Sequence, residues 1–351
     1  MDGSTRYSRQ IRLAEVGEAG QDRLRSASVI VIGAGGLGSP ALHHLAGSGV
    51  GTLGVVDFDK VDLSNLHRQT LYSSSDVGTH KTDSARRRLN DINSDVVIRE
   101  HRLKLDASNA RELLDQYDLV LDGSDTFSTR YVVNEASVRT RTPNVFASVN
   151  QFSGQASVFG TENGPCYRCL FPEPPPQGLI PNCDEGGVLG VVPAMLGTVQ
   201  ATEALKLILG VGTSLVGRLF MYDALDLSSR EISIDRDPHC RTCGDGEPIA
   251  DDASIAEISA AELRGLVGSR ASVELVDVRT HDERAKRSIG GTHIPISQLD
   301  ARIDELAPHR GREIVVYCAS GVRSERAAKI LQSHGHRVRS LRGGLKSWNL
   351  G

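Results

Sequence analysis

Four of the six cysteines in this chain form two CxxC pairs, Cys166 with Cys169 and Cys240 with Cys243. Four thiolates in two such pairs suit a closed tetrahedral zinc site, and six cysteines in 351 residues are too few for a disulfide scaffold. About 70 residues separate the two pairs, a longer gap than zinc ribbons use. The set of four thiolates therefore suits zinc binding, and the long gap between the pairs leaves open a redox-active pair or two unrelated buried pairs.

The surroundings of Cys318 favour thiol chemistry. This residue follows the apolar run 314–317 and opens a loop, CASGVR, which leads to Arg323 and then to a helical pattern. Such a loop can fold its N–H groups around the sulfur, and the helix dipole together with Arg323 would stabilise a thiolate or persulfide anion. A buried cysteine that only packs at the end of a strand is the alternative.

Cys183 lies in a polar, glycine-rich segment, 181–187, that follows three consecutive prolines. This composition predicts a mobile crossover loop. The neighbouring carboxylates of Asp184 and Glu185 should oppose thiolate formation. On these residues, a catalytic thiol and a dispensable loop thiol both stay open.

A glycine turn, Gly33-x-Gly35-x-x-Gly38, follows the apolar run 29–32 and precedes a helical pattern. The glycines allow the backbone to approach a phosphate chain, and the helix N-terminus offers free N–H groups and a positive dipole end. Asp57 ends the next strand, where it can accept hydrogen bonds from ribose hydroxyls. These features predict a nucleotide site, with an NAD-dependent dehydrogenase as the alternative.

Further polar residues favour ATP over NAD. The run DFD at 57–59 is followed by SNLHRQ at 64–69 and later by Lys81. Hydride transfer has no use for so many phosphate ligands, whereas attack on the α-phosphorus of ATP requires cations because negative charge builds on the phosphoryl oxygens and on pyrophosphate. Arg68 and Lys81 suit that role.

The elements that must position these residues alternate between strand and helix. Strands at 29–32, 52–56, 96–98 and 119–122 with helices between them predict an α/β fold with a doubly wound, mostly parallel Rossmann-like sheet. A polar stretch after Cys243 is typical of a linker. Beyond it, strands at 273–278 and 314–317 and a helix at about 323–332 predict a second, smaller α/β domain. We therefore expect domains at 1–246 and 257–351 and a linker at 247–256.

Composition excludes several classes of protein. Apolar residues make up 39% and charged residues 24%, which are globular values. With 44 acidic and 40 basic residues there is no electrostatic reason to expect nucleic acid or an anionic membrane as a partner, and the run of arginines at 86–88 is typical of a solvated helix face. The longest apolar stretch, 188–199, is shorter than the ~18 residues that span a bilayer and contains Pro193. Because the N-terminus is polar, we expect no signal peptide and a cytoplasmic protein.

Over about residues 4–244 the chain resembles the molybdopterin-synthase and thiamine sulfur-carrier adenylyltransferases (MoeB and ThiF types), relatives of the ubiquitin-activating enzymes. The resemblance rests on these motifs, in the family's order: RYSRQ at 6–10, GAGGLG at 33–38, DFDKVDLSNLHRQ at 57–69, Lys81, DGSDTFSTR at 122–130, PCYRCL at 165–170 and CRTC at 240–243.

The resemblance implies a role for each matching residue. Asp57 would hold the ribose, and Asp125 would bind a catalytic magnesium ion. Asn65, Arg68 and Lys81 would contact the ATP phosphates, and the four paired cysteines would hold structural zinc. Arg9 would reach the ATP site of a partner subunit, which implies a homodimer. Without the resemblance, Arg9 would be an ordinary surface residue and Asp125 a helix N-cap. The expected nucleotide contacts also include these residues of the same motifs: Gly33, Gly35, Gly36, Gly38, Asp59 and Gln69.

Residues from about 255 to 351 resemble a single rhodanese domain. The matching motifs are VDVR at 276–279, the CASGVR loop and LRGGL at 341–345 before Trp348. The segment 288–295 is shorter than its usual rhodanese counterpart, which affects the edge of the domain and leaves the cysteine loop intact. The resemblance implies that Cys318 carries sulfur as a persulfide. In fused relatives, the cysteine that matches Cys183 would release a thiocarboxylate.

Together, the resemblances predict an ATP-dependent enzyme that adenylylates the C-terminal glycine of a ubiquitin-like sulfur carrier ending in Gly-Gly. Persulfidic Cys318 would then displace AMP, and reductive release would leave a thiocarboxylate on the carrier. The expected cofactors are ATP, Mg²⁺ and Zn²⁺, and the sulfur donor would be a cysteine desulfurase or thiosulfate. The alternatives are an NAD-dependent oxidoreductase, a non-catalytic scaffold that binds nucleotide and carrier, and a ubiquitin-type conjugating enzyme with a thioester on Cys183.

Overall fold

A computed structural model describes residues 6–175, 186–246, 255–268, 273–309 and 312–348. The chain forms two compact units, Met1–Ile249 and Ala250–Gly351. The division falls within the expected linker, 247–256, of which residues 247–254 lie outside the described residues. The domain boundaries expected from the sequence stay a prediction, and each unit is considered by itself below.

The first unit contains eight strands and eight α-helices among its described residues. The strands are β1 (Ser28–Ile32), β2 (Thr52–Val56), β3 (Val97–His101), β4 (Leu119–Asp122), β5 (Asn144–Asn150), β6 (Ser153–Phe159), β7 (Arg218–Asp223) and β8 (Ser228–Ser233). The helices are α1 (Ser8–Ile11), α2 (Gly17–Ser26), α3 (Gly38–Ser48), α4 (Lys81–Ile92), α5 (Ala110–Leu114), α6 (Phe127–Thr140), α7 (Tyr167–Leu170) and α8 (Val191–Leu209).

The strands form one sheet in the order β3-β2-β1-β4-β5-β6-β7-β8. The first five run parallel, and β6, β7 and β8 extend the sheet in antiparallel fashion. Chain order reverses between β1 and β4, where ligands of open α/β sheets bind beyond the carboxyl ends of the strands. Ile32 pairs with both Val56 and Asp122, so the residues that follow these three strands share one edge.

α8 packs closely on α3 and the glycine turn. A Cβ at Gly197 would lie 2.2 Å from the carbonyl oxygen of Leu37, which explains the glycine at this crossing. Pro193 lies in the first turn of α8, where a missing N–H costs no helical hydrogen bond. Among the described residues, no helix combines the length and the apolar character needed to cross a membrane.

The second unit is a smaller parallel α/β structure. Its strands are β9 (Glu257–Ile258), β10 (Val273–Asp277), β11 (Thr292–His293), β12 (Glu313–Tyr317) and β13 (Arg337–Leu341), and its helices are α9 (Ala260–Gly268), α10 (His281–Lys286), α11 (Val322–Ser333) and α12 (Gly344–Trp348). The sheet order is β11-β10-β12-β13-β9. The central strand β12 buries Ile314 and Val316 in one apolar cluster and Val315 and Tyr317 in another, so helices cover both faces.

These observations confirm the predicted fold class, with differences in detail. Strand β3 begins at Val97 and continues to His101, beyond the predicted 96–98. The antiparallel extension was not predicted from the sequence. Its last strand, β8, is exposed along its whole length, so it shows no half-buried alternation.

Candidate active and metal sites

The glycine turn between β1 and α3 is compact because two of its glycines have no room for a side chain. Gly33 adopts φ +87°, and a Cβ at Gly38 would lie only 1.9 Å from the carbonyl oxygen of Gly33. The outer side of the turn faces two other predicted residues. A Cβ at Gly35 would lie 3.7 Å from Gln69 Nε2, and one at Gly36 would lie 3.6 Å from Arg68 Cγ. The predicted phosphate ligand Arg68 and the predicted nucleotide contact Gln69 therefore lie next to the turn.

Asp57, Asp59 and Lys81 form a cluster at the carboxyl end of β2. Asp57 accepts hydrogen bonds from the N–H groups of Ala34 (3.0 Å) and Asp59 (2.9 Å). The Nζ atom of Lys81 lies 3.1 Å from Asp59 Oδ2 and 3.7 Å from Asp57 Oδ2, and both Lys81 and Asp57 are buried. Burial raises the pKa of Asp57, and the attraction of Lys81 only partly offsets it. A buried cation therefore lies between two carboxylates in the candidate site.

A short 3₁₀ helix, Leu63–Asn65, positions the remaining polar residues of this motif. Asn65 Oδ1 accepts a hydrogen bond from the N–H of Asp62 at 3.1 Å. Arg68 donates to the carbonyl oxygen of Ser64 at 3.0 Å. Gln69 is buried, and its Oε1 has no hydrogen-bond partner among the described residues. An unpartnered buried acceptor beside the glycine turn is consistent with a ligand that donates a hydrogen bond there.

Asp125 is exposed in the loop after β4. The alternative reading of this residue as a helix N-cap is wrong, because Thr126 caps α6 and its Oγ1 accepts from the N–H of Thr129 at 3.3 Å. The Asp125 carboxylate therefore does not cap the helix. It lies in a loop at the same edge of the sheet as the glycine turn.

Asp122 is a buried carboxylate that the sequence interpretation missed. Its Oδ1 accepts from the N–H (3.0 Å) and the hydroxyl (2.6 Å) of Ser124, and its Oδ2 has no partner among the described residues. Complete burial raises the pKa of Asp122. Its position at the end of a central strand, like that of Asp57, is the sequence signal that could have identified it.

Arg9 lies at the other end of α3 from the glycine turn. It is exposed on α1, and the next residue, Gln10, donates to the carbonyl oxygen of Ser48 at 3.1 Å. Ser48 is the last residue of α3, an 11-residue helix and therefore about 16 Å long. The structure thus does not bring Arg9 to the nucleotide turn of its own chain.

The two CxxC pairs come together in space. The Sγ atoms of Cys166, Cys169, Cys240 and Cys243 all lie within 4.8 Å of one another, and three of the separations are 3.4, 3.6 and 3.9 Å. Four sulfurs around one zinc ion at about 2.3 Å would be separated by about 3.8 Å. The donor set and its spacing therefore fit tetrahedral zinc. This proximity excludes two unrelated buried pairs.

Cys318 lies at the carboxyl end of β12 and at the N-terminus of α11. Its side chain is buried, and its Sγ accepts the N–H of Gly321 at 3.1 Å. Burial opposes the thiolate, but hydrogen bonds from the hydroxyl and N–H of Ser324 and from the N–H groups of Ser320 and Gly321 outweigh it, so the pKa of Cys318 is lowered. A cysteine that only packs would not be surrounded by donors in this way.

The segment that contains Gly343 and Gly344 packs against the backbone of the cysteine loop. A Cβ at Gly344 would lie 2.5 Å from the carbonyl oxygen of Cys318. The N–H of Leu345 donates to that oxygen at 2.8 Å, and the N–H of Lys346 donates to Ala319 at 3.1 Å. The LRGGL motif therefore holds the backbone of the loop in place.

Arg323 does not point freely into solvent. Its two terminal nitrogens donate to the two carboxylate oxygens of Glu283, each at 2.7 Å. Sequence interpretation missed Glu283, although Thr280 three residues earlier gives the pair the pattern of a capping box. The other cysteine proposed for catalysis, Cys183, lies outside the described residues.

Each unit matches a known protein family. The family described as "ThiF family" matches residues 7–242, and "Rhodanese-like domain" matches residues 259–350. The probable adenylyltransferase/sulfurtransferase MoeZ of Mycobacterium tuberculosis is 44% identical over 363 residues, which cover 98% of this chain and 92% of that protein. The sulfur carrier protein adenylyltransferase of Thermus thermophilus is 51% identical over 245 residues, which cover 68% of this chain and 90% of that protein. The solved structure of E. coli MccB with ATP is 24% identical, covers 69% of this chain and 75% of that one, and has a TM-score of 0.61, a likeness of fold alone.

Proposed function

We propose, from the premise that this chain belongs to the ThiF family and also carries a rhodanese-like domain, that it activates a ubiquitin-like sulfur-carrier protein and transfers sulfur to it. The chain is an adenylyltransferase and sulfurtransferase, as its full-length relatives are named. The observation that carries the proposal is the presence of both parts in one chain, a glycine turn lined by phosphate ligands and a cysteine loop with a lowered thiol pKa.

The first reaction takes place at the glycine turn. The carrier's terminal carboxylate attacks the α-phosphorus of ATP, the bond to the pyrophosphate oxygen breaks, and an acyl-adenylate forms. Arg68 and Lys81 offset the negative charge that develops on the phosphates, and the N-terminus of α3 supplies N–H donors. For this role Lys81 exchanges the carboxylates of Asp57 and Asp59 for phosphate oxygens. Magnesium held by Asp125 would add positive charge at the same phosphates.

The second reaction uses the thiol of Cys318. Its persulfide sulfur attacks the acyl carbon, the bond to AMP breaks, and an acyl disulfide forms between carrier and enzyme. A thiol, which Cys183 would supply, attacks the Cys318 sulfur of that disulfide and displaces the carrier thiocarboxylate. The new disulfide on Cys318 is then reduced by an external reductant. The N–H groups around Cys318 stabilise the thiolate that takes up sulfur from the donor, because the N–H of Gly321 already points at Sγ in the free enzyme.

The four paired cysteines would hold zinc as a structural staple between α7 and the segment that carries Cys240 and Cys243. All four ligands are protein thiolates, so the site has no open position for a substrate. We assign the zinc no step in either reaction.

We also propose a homodimer in which Arg9 acts in the partner's nucleotide site. Support comes from the position of Arg9 at the far end of α3 from its own glycine turn. Mixing two inactive variants tests this. Arg9→Ala and Asp125→Ala homodimers, exchanged into heterodimers, should regain pyrophosphate exchange, because one of the two sites then contains both native residues. Absence of recovery in verified heterodimers would contradict action across the interface.

Intact mass spectrometry tests the whole function. A candidate carrier ending in Gly-Gly is incubated with the protein, MgATP, a reductant and thiosulfate, beside Cys318→Ala and Asp125→Ala variants. We expect the carrier to gain the mass difference between sulfur and oxygen, and both variants to abolish that gain. A carrier that binds without any mass change, together with no ATP-pyrophosphate exchange, would favour a scaffold instead.

A further inference from the structure

The arginine of the cysteine loop is neutralised by a carboxylate from another element. Arg323 lies in the first turn of α11, and both of its terminal nitrogens donate to Glu283 in α10. Parallel contacts of this kind are the strongest geometry for an arginine-carboxylate pair. The guanidinium therefore faces an anion before any substrate arrives.

Glu283 is itself held in position by the start of α10. Its Oε2 accepts from the N–H (3.0 Å) and the hydroxyl (3.1 Å) of Thr280, and Thr280 Oγ1 accepts from the N–H of Glu283 at 3.3 Å. Hydrogen bonding from Arg323 lowers the pKa of Glu283 to about 2. The carboxylate is ionised at neutral pH, so the pair as a whole carries no net charge.

Other cations of this region do not replace Arg323. Arg279 and Arg284 both face the buried carboxylate of Asp277, at 2.7 and 3.8 Å. Lys346 approaches the loop through its backbone N–H, but its side chain is exposed, so solvent and salt screen its ammonium. The charge that a donor meets beside Cys318 is therefore set mainly by Arg323 and Glu283.

We propose that Glu283 is a specificity-determining residue that disfavours the thiosulfate dianion as sulfur donor and favours a persulfide of lower charge. The inference rests on the proposed sulfurtransferase function. A dianion that approaches the Cys318 thiolate needs a cation to offset repulsion, and here the arginine of the cysteine loop, Arg323, is already paired with Glu283. A singly charged or neutral persulfide meets less repulsion and needs less compensation.

Both donors complete the same transfer with balanced electrons. With thiosulfate, the Cys318 thiolate attacks the outer sulfur, the S–S bond breaks, and sulfite leaves with the electron pair. With a persulfide R–S–SH, the thiolate attacks the terminal sulfur and R–S⁻ leaves with the pair. Cys318 becomes a persulfide in each case, and no external oxidant or reductant is consumed.

Glu283→Gln tests the role of the charge with little change in shape. Glutamine also serves at this position of a capping box, so the start of α10 should be preserved. We expect the KM for thiosulfate to fall by about three- to tenfold at low salt, because Arg323 is freed to attract the dianion. We expect no comparable fall in the KM for cysteine persulfide, which carries at most one net negative charge, and we expect kcat to change little with either donor.

Glu313→Gln is the matched control. Glu313 pairs with Arg339 at 2.5 Å, at the opposite end of β12 from Cys318. This variant also removes one negative charge from the unit, and it should leave both KM values at their wild-type level. If Glu283→Gln lowers the melting temperature, measurement at reduced temperature provides the same comparison of the two donors.

Sulfur loading of Cys318 is followed by intact mass in the full chain, with thiosulfate and cysteine persulfide in parallel. An unchanged or higher thiosulfate KM in Glu283→Gln, an equal fall in Glu313→Gln, or an equal fall with both donors would overturn the assignment of specificity to Glu283. If the wild type gains a sulfur atom from neither donor, the sulfurtransferase function itself fails. The two failures are therefore distinguishable.

Discussion

Gly38→Ala should disable adenylylation through a steric clash of known size. A Cβ at position 38 would lie 1.9 Å from the carbonyl oxygen of Gly33, whereas ordinary van der Waals contacts begin at 3.4 Å. The turn and the start of α3 must therefore separate by roughly 1.5 Å, because the packed interior cannot absorb the overlap. A misplacement of about 1 Å at a reacting centre costs about 10²-fold in rate. We expect kcat/KM for ATP-pyrophosphate exchange to fall about 100-fold, or ~2.7 kcal/mol.

Gly47→Ala provides the control on the same helix. A Cβ at Gly47 would meet nothing within 4 Å, and the residue is exposed near the end of α3. Alanine is favoured over glycine in a helix by about 1 kcal/mol, so the melting temperature should rise. Pyrophosphate exchange should stay at the wild-type rate, since the turn is not disturbed.

The assay is ATP-dependent exchange of labelled pyrophosphate in the presence of a carrier, with circular dichroism to verify the fold. Persulfide loading of Cys318 from thiosulfate, measured on the same preparation, reports the second unit and should be equal in both variants. Wild-type exchange by a correctly folded Gly38→Ala protein would refute the reasoning. It would show that ATP does not bind against this turn.

Three further predictions concern the other sites. Cys240→Ser should lower the zinc content measured by mass spectrometry and reduce the melting temperature of the first unit, and unchanged zinc would contradict a four-cysteine site. Ser324→Ala should move the pH midpoint of persulfide loading upward, because it removes a hydroxyl that offsets the burial of Cys318; an unmoved midpoint would contradict that role. Because the folded-state pKa of Glu283 is about 2 against 4.5 ordinarily, its pairing stabilises the second unit above pH 4.5 and is lost as pH falls toward 2. Glu283→Gln should therefore make the melting temperature less dependent on pH over that range.

Local pattern was enough to predict the parallel half of the first sheet. Strands β1, β2 and β4 are short apolar runs, and they lead into the glycine turn, Asp57 and the loop that carries Asp125, respectively. The CxxC pairs were recognisable because their internal spacing is local. Their meeting in space depends on the antiparallel extension of the sheet, which connects β6 to β7 across a long stretch of chain.

The residues that escaped prediction act through neighbours remote in sequence or through backbone geometry. Glu283 acquires its role from Arg323, forty residues later. Asp122 is distinguished by its burial, which raises its pKa and depends on the elements packed around the end of β4. Thr126, and not Asp125, caps α6, a shift of one residue that propensity cannot resolve.

The choice between ATP and NAD shows what geometry adds to a motif. The glycine turn and Asp57 suit either nucleotide, because both present a phosphate chain and a ribose. In a dinucleotide site the strand-end acid faces a neutral ribose and has no need of a cation. Here a buried lysine lies 3.1 Å from Asp59 and 3.7 Å from Asp57. Burial of Lys81 is costly unless it is paired, and a triphosphate offers stronger partners than the two carboxylates that hold it in the free chain. The cluster is therefore arranged to exchange carboxylate for phosphate, which is the requirement of an ATP site.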